Sequence, residues 1–235
     1  MTLAPPIALP ETVAELLERL GDIPPGRVRL VPTPGTATEA DVLHYLDREN
    51  RLFELVDGTL VEKAMGFDES LLAGLILSSI NQFLFENDLG IAAGADGTLK
   101  LTTGQVRIPD VTFVSWASLP GGERPAGPIP QLPVDLAVEV LSQGNTRGEM
   151  ERKVAEYLGA GTKLVWLIDP RKRAAWIHAP GLPVAELADG DSLDGGNVLP
   201  GFVLRPAPLF DRAARRRTLK VNFTRSGTGS ALDLS

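Results

Sequence analysis

Leu136-Ala137-Val138-Glu139-Val140-Leu141, between Pro133 and Gly144, is the stretch on which the reading of this chain turns. A short apolar run bounded by turn residues predicts a strand covered on both faces. Glu139 stands inside it. A carboxylate is costly to bury unless a cation or strong donors compensate it, so a partner is expected elsewhere in the chain.

Downstream, Thr146-Arg147-Gly148-Glu149 has the form of a capping box and predicts a helix to Leu158, ended by Gly159 and Gly161. Leu164 to Ile168 predicts another buried strand. Asp169 to Arg173 reads as a turn and Ala174 to His178 as a returning strand. Residues 180–210 are rich in Gly and Pro, with short strand-like pieces.

Upstream, Leu52 to Val56, Asp57-Gly58 and Thr59 to Met65 form a hairpin signal, because Asp-Gly supplies the positive φ angles of a type I′ turn. Asp68 to Asn87 carries a helical stripe of Leu72, Leu75, Ile76, Ser79, Ile80 and Phe83. Gly90 to Gly97 is a small-residue stretch, followed by strands expected at Thr98–Thr102 and Val106–Val114. Residues 115–133 read as a loop. Nearer the start come a helix from Glu11 to Leu20, a strand at Arg27–Val31, and a helix opened by Thr38 with Asp41 three residues on. The order of elements predicts an α/β (α+β) fold with a mixed sheet. To that fold we add an N-terminal helical and hairpin extension, and we divide the chain into an N-terminal extension (1–37), a main domain (38–210), and a basic stretch with a flexible tail (211–235).

The chain has 235 residues, 43% of them hydrophobic, enough for one sizeable core. Its net charge of −7 argues against indiscriminate attraction to nucleic acid or anionic membrane but leaves room for a local basic groove. The absence of cysteine excludes disulfides and thiolate metal sites. Nothing resembles a signal peptide or a membrane helix, so a soluble, cytoplasmic protein is expected.

A second acid, Asp110, follows Pro109 in a strand-like run, where proline marks an edge, an end or a bulge. If these segments pair, Asp110 and Glu139 lie on neighbouring strands. Two buried carboxylates repel, and a divalent cation with a taste for hard oxygen, Mg²⁺ or Mn²⁺, removes the penalty. Lys153 shares a helix face with Met150, Val154 and Tyr157 and is aimed at the sheet. Glu69 opens the long helix beside its apolar stripe and is a further candidate for the same site.

Each residue also has a plainer reading. Asp110 can cap a turn, Glu139 can pair with an arginine, Lys153 with Glu149, and Glu69 can serve the helix dipole. His44 and His178 have no metal spacing, Ser142 lacks a nucleophile elbow, and Gly121-Gly122 and Gly195-Gly196 lack a phosphate-loop context. Trp166 and Trp176 read as packing residues. Arg171-Lys172-Arg173 reads as a solvated turn, with phosphate contact the alternative.

Residues of about 38–205 resemble the Uma2 (DUF820) family of restriction-endonuclease-like proteins, in the PD-(D/E)XK nuclease superfamily. The resemblance rests on Phe53 to Gly58, Pro109-Asp110-Val111, Asp135 to Ser142, Lys153 to Tyr157, Gly161, and Val165 to Pro170. It implies a restriction-endonuclease-like central mixed sheet flanked by helices. It also implies Asp110 and Glu139 as metal ligands, with the Val140 carbonyl a third. The superfamily lysine two residues after the glutamate is Leu141 here, and its role passes to Lys153 on the following helix. A histidine common near the start of the long helix is replaced by Glu69, which can bind a second cation or a bridging water. The implied function is Mg²⁺-dependent (or Mn²⁺-dependent) DNA phosphodiester hydrolysis by a homodimer. The alternatives are a silent nuclease-like fold used for binding or assembly, and action on RNA or another phosphoester.

Overall fold

Residues 9–64 and 66–214 are described by the computed structural model. Met65, the end of the basic stretch and the C-terminal tail lie outside them. Thr12 caps helix α1 (Val13–Arg19), its hydroxyl accepting from the Glu15 amide. Thr38 and Asp41 form the expected capping box of α2 (Glu39–Glu49). Between them, Arg27–Val31 is not a strand. Pro25–Arg27 makes a 3₁₀ turn, and only an isolated bridge from Val28 to Val61 and a hydrogen bond from the Arg29 amide to the Leu60 carbonyl follow.

Strands β1 (Phe53–Val56) and β2 (Thr59–Glu62) pair antiparallel around Asp57 and Gly58, with φ of 48° and 68° as a type I′ turn requires. Helix α3 (Phe67–Asn87) follows. Gly90–Ala93, with only Ile91 a strong strand former, forms strand β3. Gly90 is dictated by packing, since a Cβ there would overlap the Val114 carbonyl oxygen. Next come β4 (Leu99–Thr102), β5 (Gln105–Arg107) and β6 (Val111–Ser115).

The single strand expected at Val106–Val114 is therefore two. Pro109 cannot donate to a ladder, and the chain changes sheets across residues 108–110. Strand β5 belongs to a four-stranded sheet of order β2-β1-β5-β4. Strand β6 joins β7 (Leu136–Val140) in a six-stranded sheet of order β10-β9-β8-β7-β6-β3. Thr146 caps α4 (Arg147–Gly159), the crossover to β8 (Leu164–Asp169), which is parallel to β7. Strands β9 (Ala174–His178) and β10 (Ala185–Leu187) complete the larger sheet. A short pair, β11 (Leu193–Asp194) and β12 (Val203–Leu204), leads to α5 (Pro206–Ala213), with Pro206 in its first turn.

The six-stranded sheet lies between two unlike layers. Leu72, Ile76 and Ile80 of α3, with Phe210 of α5, pack on Val111, Phe113, Val138, Val140 and Trp166. On the opposite face Met150, Val154 and Tyr157 of α4 pack on Ala137, Val165 and Leu167, with Leu99 and Leu101 of β4. The N-terminal segment is tied to α4 by Arg27, which donates to both carboxylate oxygens of Glu149 at 2.9 and 2.7 Å. Gly21 and Gly148 touch backbone to backbone, too closely for a side chain on either.

Candidate active site

Alternation along β7 places the first acid. Val138 and Val140 enter the α3 layer and Ala137 enters the α4 layer. Glu139 therefore points to α4. Lys153 meets it there, its Nζ 3.2 and 3.3 Å from the two carboxylate oxygens. One turn further, the Tyr157 hydroxyl donates to Glu139 Oε1 at 2.6 Å.

Asp110 sits where the chain leaves one sheet for the other. Its amide donates to the Val138 carbonyl at 3.0 Å, and its Oδ2 accepts from the Val140 amide at 2.7 Å. It is thus fixed beside Glu139 across the β6–β7 ladder. Its Oδ1 lies 2.9 Å from the Lys63 ammonium, which also donates to the carbonyls of Ala95 (3.0 Å) and Ile108 (2.5 Å). Asp110, Glu139 and Lys153 are all buried and brought together.

Glu69 is placed elsewhere. It is half-buried in the first turn of α3, its carboxylate turned back over Gly66. It lines an open cleft with Ser142, Gly144 and Arg171. Among the described residues no hydrogen bond or ion pair joins it to Asp110 or Glu139. The expected alternative partner of Lys153, Glu149, is engaged by Arg27.

A third acid completes the cluster. Glu54 of β1 is wholly buried, 3.0 Å from Lys153 Nζ and 2.7 Å from Arg107 of β5. Arg107 also pairs with Glu156 of α4. The criterion that singles out Glu139, an acid inside an apolar run, applies equally to Glu54 in Phe53-Glu54-Leu55-Val56. Lys63 and Arg107 carry no such signal, since cations at strand ends are ordinarily solvated.

These buried charges are unequally compensated. Burial works to raise Glu54, but Lys153 and Arg107 outweigh it and hold the group at about 2. Glu139 is raised to about 6, chiefly by burial, which Lys153 opposes and the nearby Asp110 and Glu54 reinforce. Burial favours loss of the Lys153 proton, but Glu139 and Glu54 prevail and keep it charged. Tyr157 is raised well above its ordinary value, by burial and then by Glu139, so its hydroxyl stays a donor.

Among the described residues no three His, Cys, Asp or Glu side chains form a ligand cluster. Asp110 and Glu139 together offer two hard carboxylate donors. Mg²⁺ characteristically binds through one or two carboxylates and keeps several waters. Burial, Asp110 and Glu54 raise Glu139 despite Lys153, and a cation would add a further opposing charge.

The site thus joins acids from neighbouring strands of a mixed α/β sheet to a lysine from the crossover helix. The profile of the family described as "Uma2: Putative restriction endonuclease" matches residues 39–207. The chain belongs to the Uma2 family. Its fold is shared with a crystal structure titled as a "putative nuclease belonging to DUF820" from Anabaena variabilis ATCC 29413, at a TM-score of 0.62 and 19% identity. That similarity covers 70% of this chain and 92% of the other. No curated protein matches the chain. Among the described residues, no helix is long and apolar enough to cross a membrane.

Proposed function

We propose that the protein is a Mg²⁺-dependent endonuclease hydrolysing DNA phosphodiester bonds, with Mn²⁺ able to substitute. The observation that carries this reading is the fixing of Asp110 beside Glu139, through the Val140 amide, with Lys153 on Glu139. Asp110, Glu139 and the Val140 carbonyl would hold the ion, and Glu69 a second ion or a bridging water. The ion supplies a bound water of lowered pKa and offsets charge on the phosphate oxygens. Lys153 orients the attacking water and counters phosphate charge with its ammonium. Tyr157 and Lys153 together orient the Glu139 carboxylate. Lys63, anchored independently on two carbonyls, holds Asp110 without depending on it. The PD-(D/E)XK assignment, a homodimer and a cytoplasmic location belong to the same proposal. The symmetric dimer is the commonest assembly, and sedimentation tests it.

Supercoiled plasmid incubated with Mg²⁺ or Mn²⁺ is expected to be nicked. Loss of one group stabilising the transition state costs on the order of 100-fold or more, so Glu139→Gln and Asp110→Asn should reduce the rate at least that far. Equal activity in Glu139→Gln rejects the assignment. Parallel reactions on RNA and simple phosphoesters fix the substrate class.

One observation favours a second reading, a nuclease-like fold used for binding or assembly. Every oxygen of Asp110 and Glu139 already has a protein donor: Lys63, the Val140 amide, Tyr157 or Lys153. Calorimetric titration with Mn²⁺ separates the two, since a pure interaction module has no heat of binding that depends on Asp110.

A further inference from the structure

A groove of about 760 Å³ runs between one flank of α4 and strands β8 and β9. It shares Ser142 and Arg171 with the cleft that Glu69 lines. Helix α4 is the common wall: along its sheet-facing side Met150 and Val154 border the groove, and Lys153 and Tyr157 reach the acids. The floor is apolar, built from Leu141, Leu158 and Leu167. Trp176 stands half-buried on β9 and leaves part of its ring free for a ligand.

The rim is positive in a chain whose net charge is −7. Arg147, Arg171 and Lys172 line it, with Glu151 and Asp169. Of the two acids, Glu151 is held by Arg147 at 2.6 Å. Asp169 is buried and accepts from the backbone amides of Arg171 and Lys172. Both residues of the turn are exposed, and the Arg171 guanidinium also pairs with Asp169 Oδ1 at 3.5 Å. The Lys172 ammonium lies 5.6 Å from the centre of the Trp176 ring and covers part of that face, so a ligand ring takes the place it vacates. His178 closes one side, and burial pushes its imidazole below the ordinary histidine value. An apolar slot with an aromatic face, beside two exposed cations, suits a stacked base followed by its phosphate.

We propose that this groove holds an unpaired nucleotide of a single nucleic-acid strand next to the reaction centre. Its base takes the Trp176 face, and Lys172 moves from the ring to the adjoining phosphate with Arg171. The inference rests on the nuclease reading for its ligand class, but not on catalysis.

The test uses the full chain carrying Glu139→Gln, in EDTA, with fluorescein-labelled oligo(dT) and a duplex of equal length, read by anisotropy. The single strand is expected to bind more tightly than the duplex. Loss of one base–aromatic stack weakens binding about tenfold, so Trp176→Ala should show that loss while Trp176→Phe retains most of the affinity. Lys172→Ala should weaken binding and lower the salt slope by about one. Equal binding of duplex and single strand, no binding of either, or unchanged affinity in Trp176→Ala overturns the proposal. A wild-type protein that fails to nick plasmid, while binding of the single strand still depends on Trp176, would reject the nuclease reading and keep this one.

Discussion

The two sides of strand β7 differ more than any other pair of neighbouring regions in the molecule. Val138 and Val140 enter a layer of aliphatic and aromatic side chains beneath α3. Glu139, between them in sequence, enters a layer where Glu54, Asp110, Lys153, Arg107 and Tyr157 meet almost wholly removed from water. One side holds the fold by removing apolar area from water. On the other, charges are balanced against one another, and one of them, Glu139, is balanced poorly. The contrast separates what stabilises this protein from what equips it for chemistry.

Removing Glu54 should have the largest effect, because it strands Arg107 and takes a partner from Lys153. Breaking a buried pair costs about 3–5 kcal/mol, so Glu54→Ala should lower the urea-unfolding free energy at pH 7 by that amount. A loss below about 1 kcal/mol would mean the cluster is better hydrated than its burial indicates. On the apolar side, Ile76→Ala should cost about 2–5 kcal/mol through transfer and cavity terms. Nicking per folded molecule should stay unchanged, and a matching fall in specific activity would erase the distinction between the two layers.

The acids of the cluster should respond to pH in opposite directions. Glu139, raised to about 6 from an ordinary 4.5, binds its proton more tightly when folded. Its contribution is complete below pH 4.5 and is lost as pH rises through 6, at about 2 kcal/mol. Glu54, held at about 2, contributes above pH 4.5 and loses that contribution as pH falls through about 2. Urea unfolding in EDTA should therefore show a decline between pH 4.5 and 7 that is absent in Glu139→Gln, and an identical slope in both would remove Glu139 as its source. The smallest effect is expected at the α4 cap, where Thr146→Ala should cost about 1 kcal/mol by losing the bond to the Glu149 amide. Thermal melts resolve it.

Local chemistry carried most of the fold into view. Asp57-Gly58, the Thr38–Asp41 box, the Thr146 cap and the apolar run around Glu139 all behave as their residue types require. What escaped depended on the rest of the molecule. Strand β3 has Ile91 as its one strong strand former, and the approach of the Val114 carbonyl explains its glycine at position 90. Pro109 signalled a break, but not that the break passes the chain between sheets. Helix α5 lay hidden in a Gly- and Pro-rich segment because Pro206 and Pro208 read as loop residues, although the first helical turn tolerates proline. Asp110, Glu139 and Lys153 were legible as charges out of place. Lys63 and Arg107 were not, since their partners Asp110 and Glu54 are 47 and 53 residues away in sequence.

Crystals soaked in Mn²⁺ and measured at the manganese edge address the site itself. The account predicts an anomalous peak between the carboxylates of Asp110 and Glu139, absent from crystals of Asp110→Asn. A peak only at Glu69, or none in the wild type at saturating Mn²⁺, would contradict it.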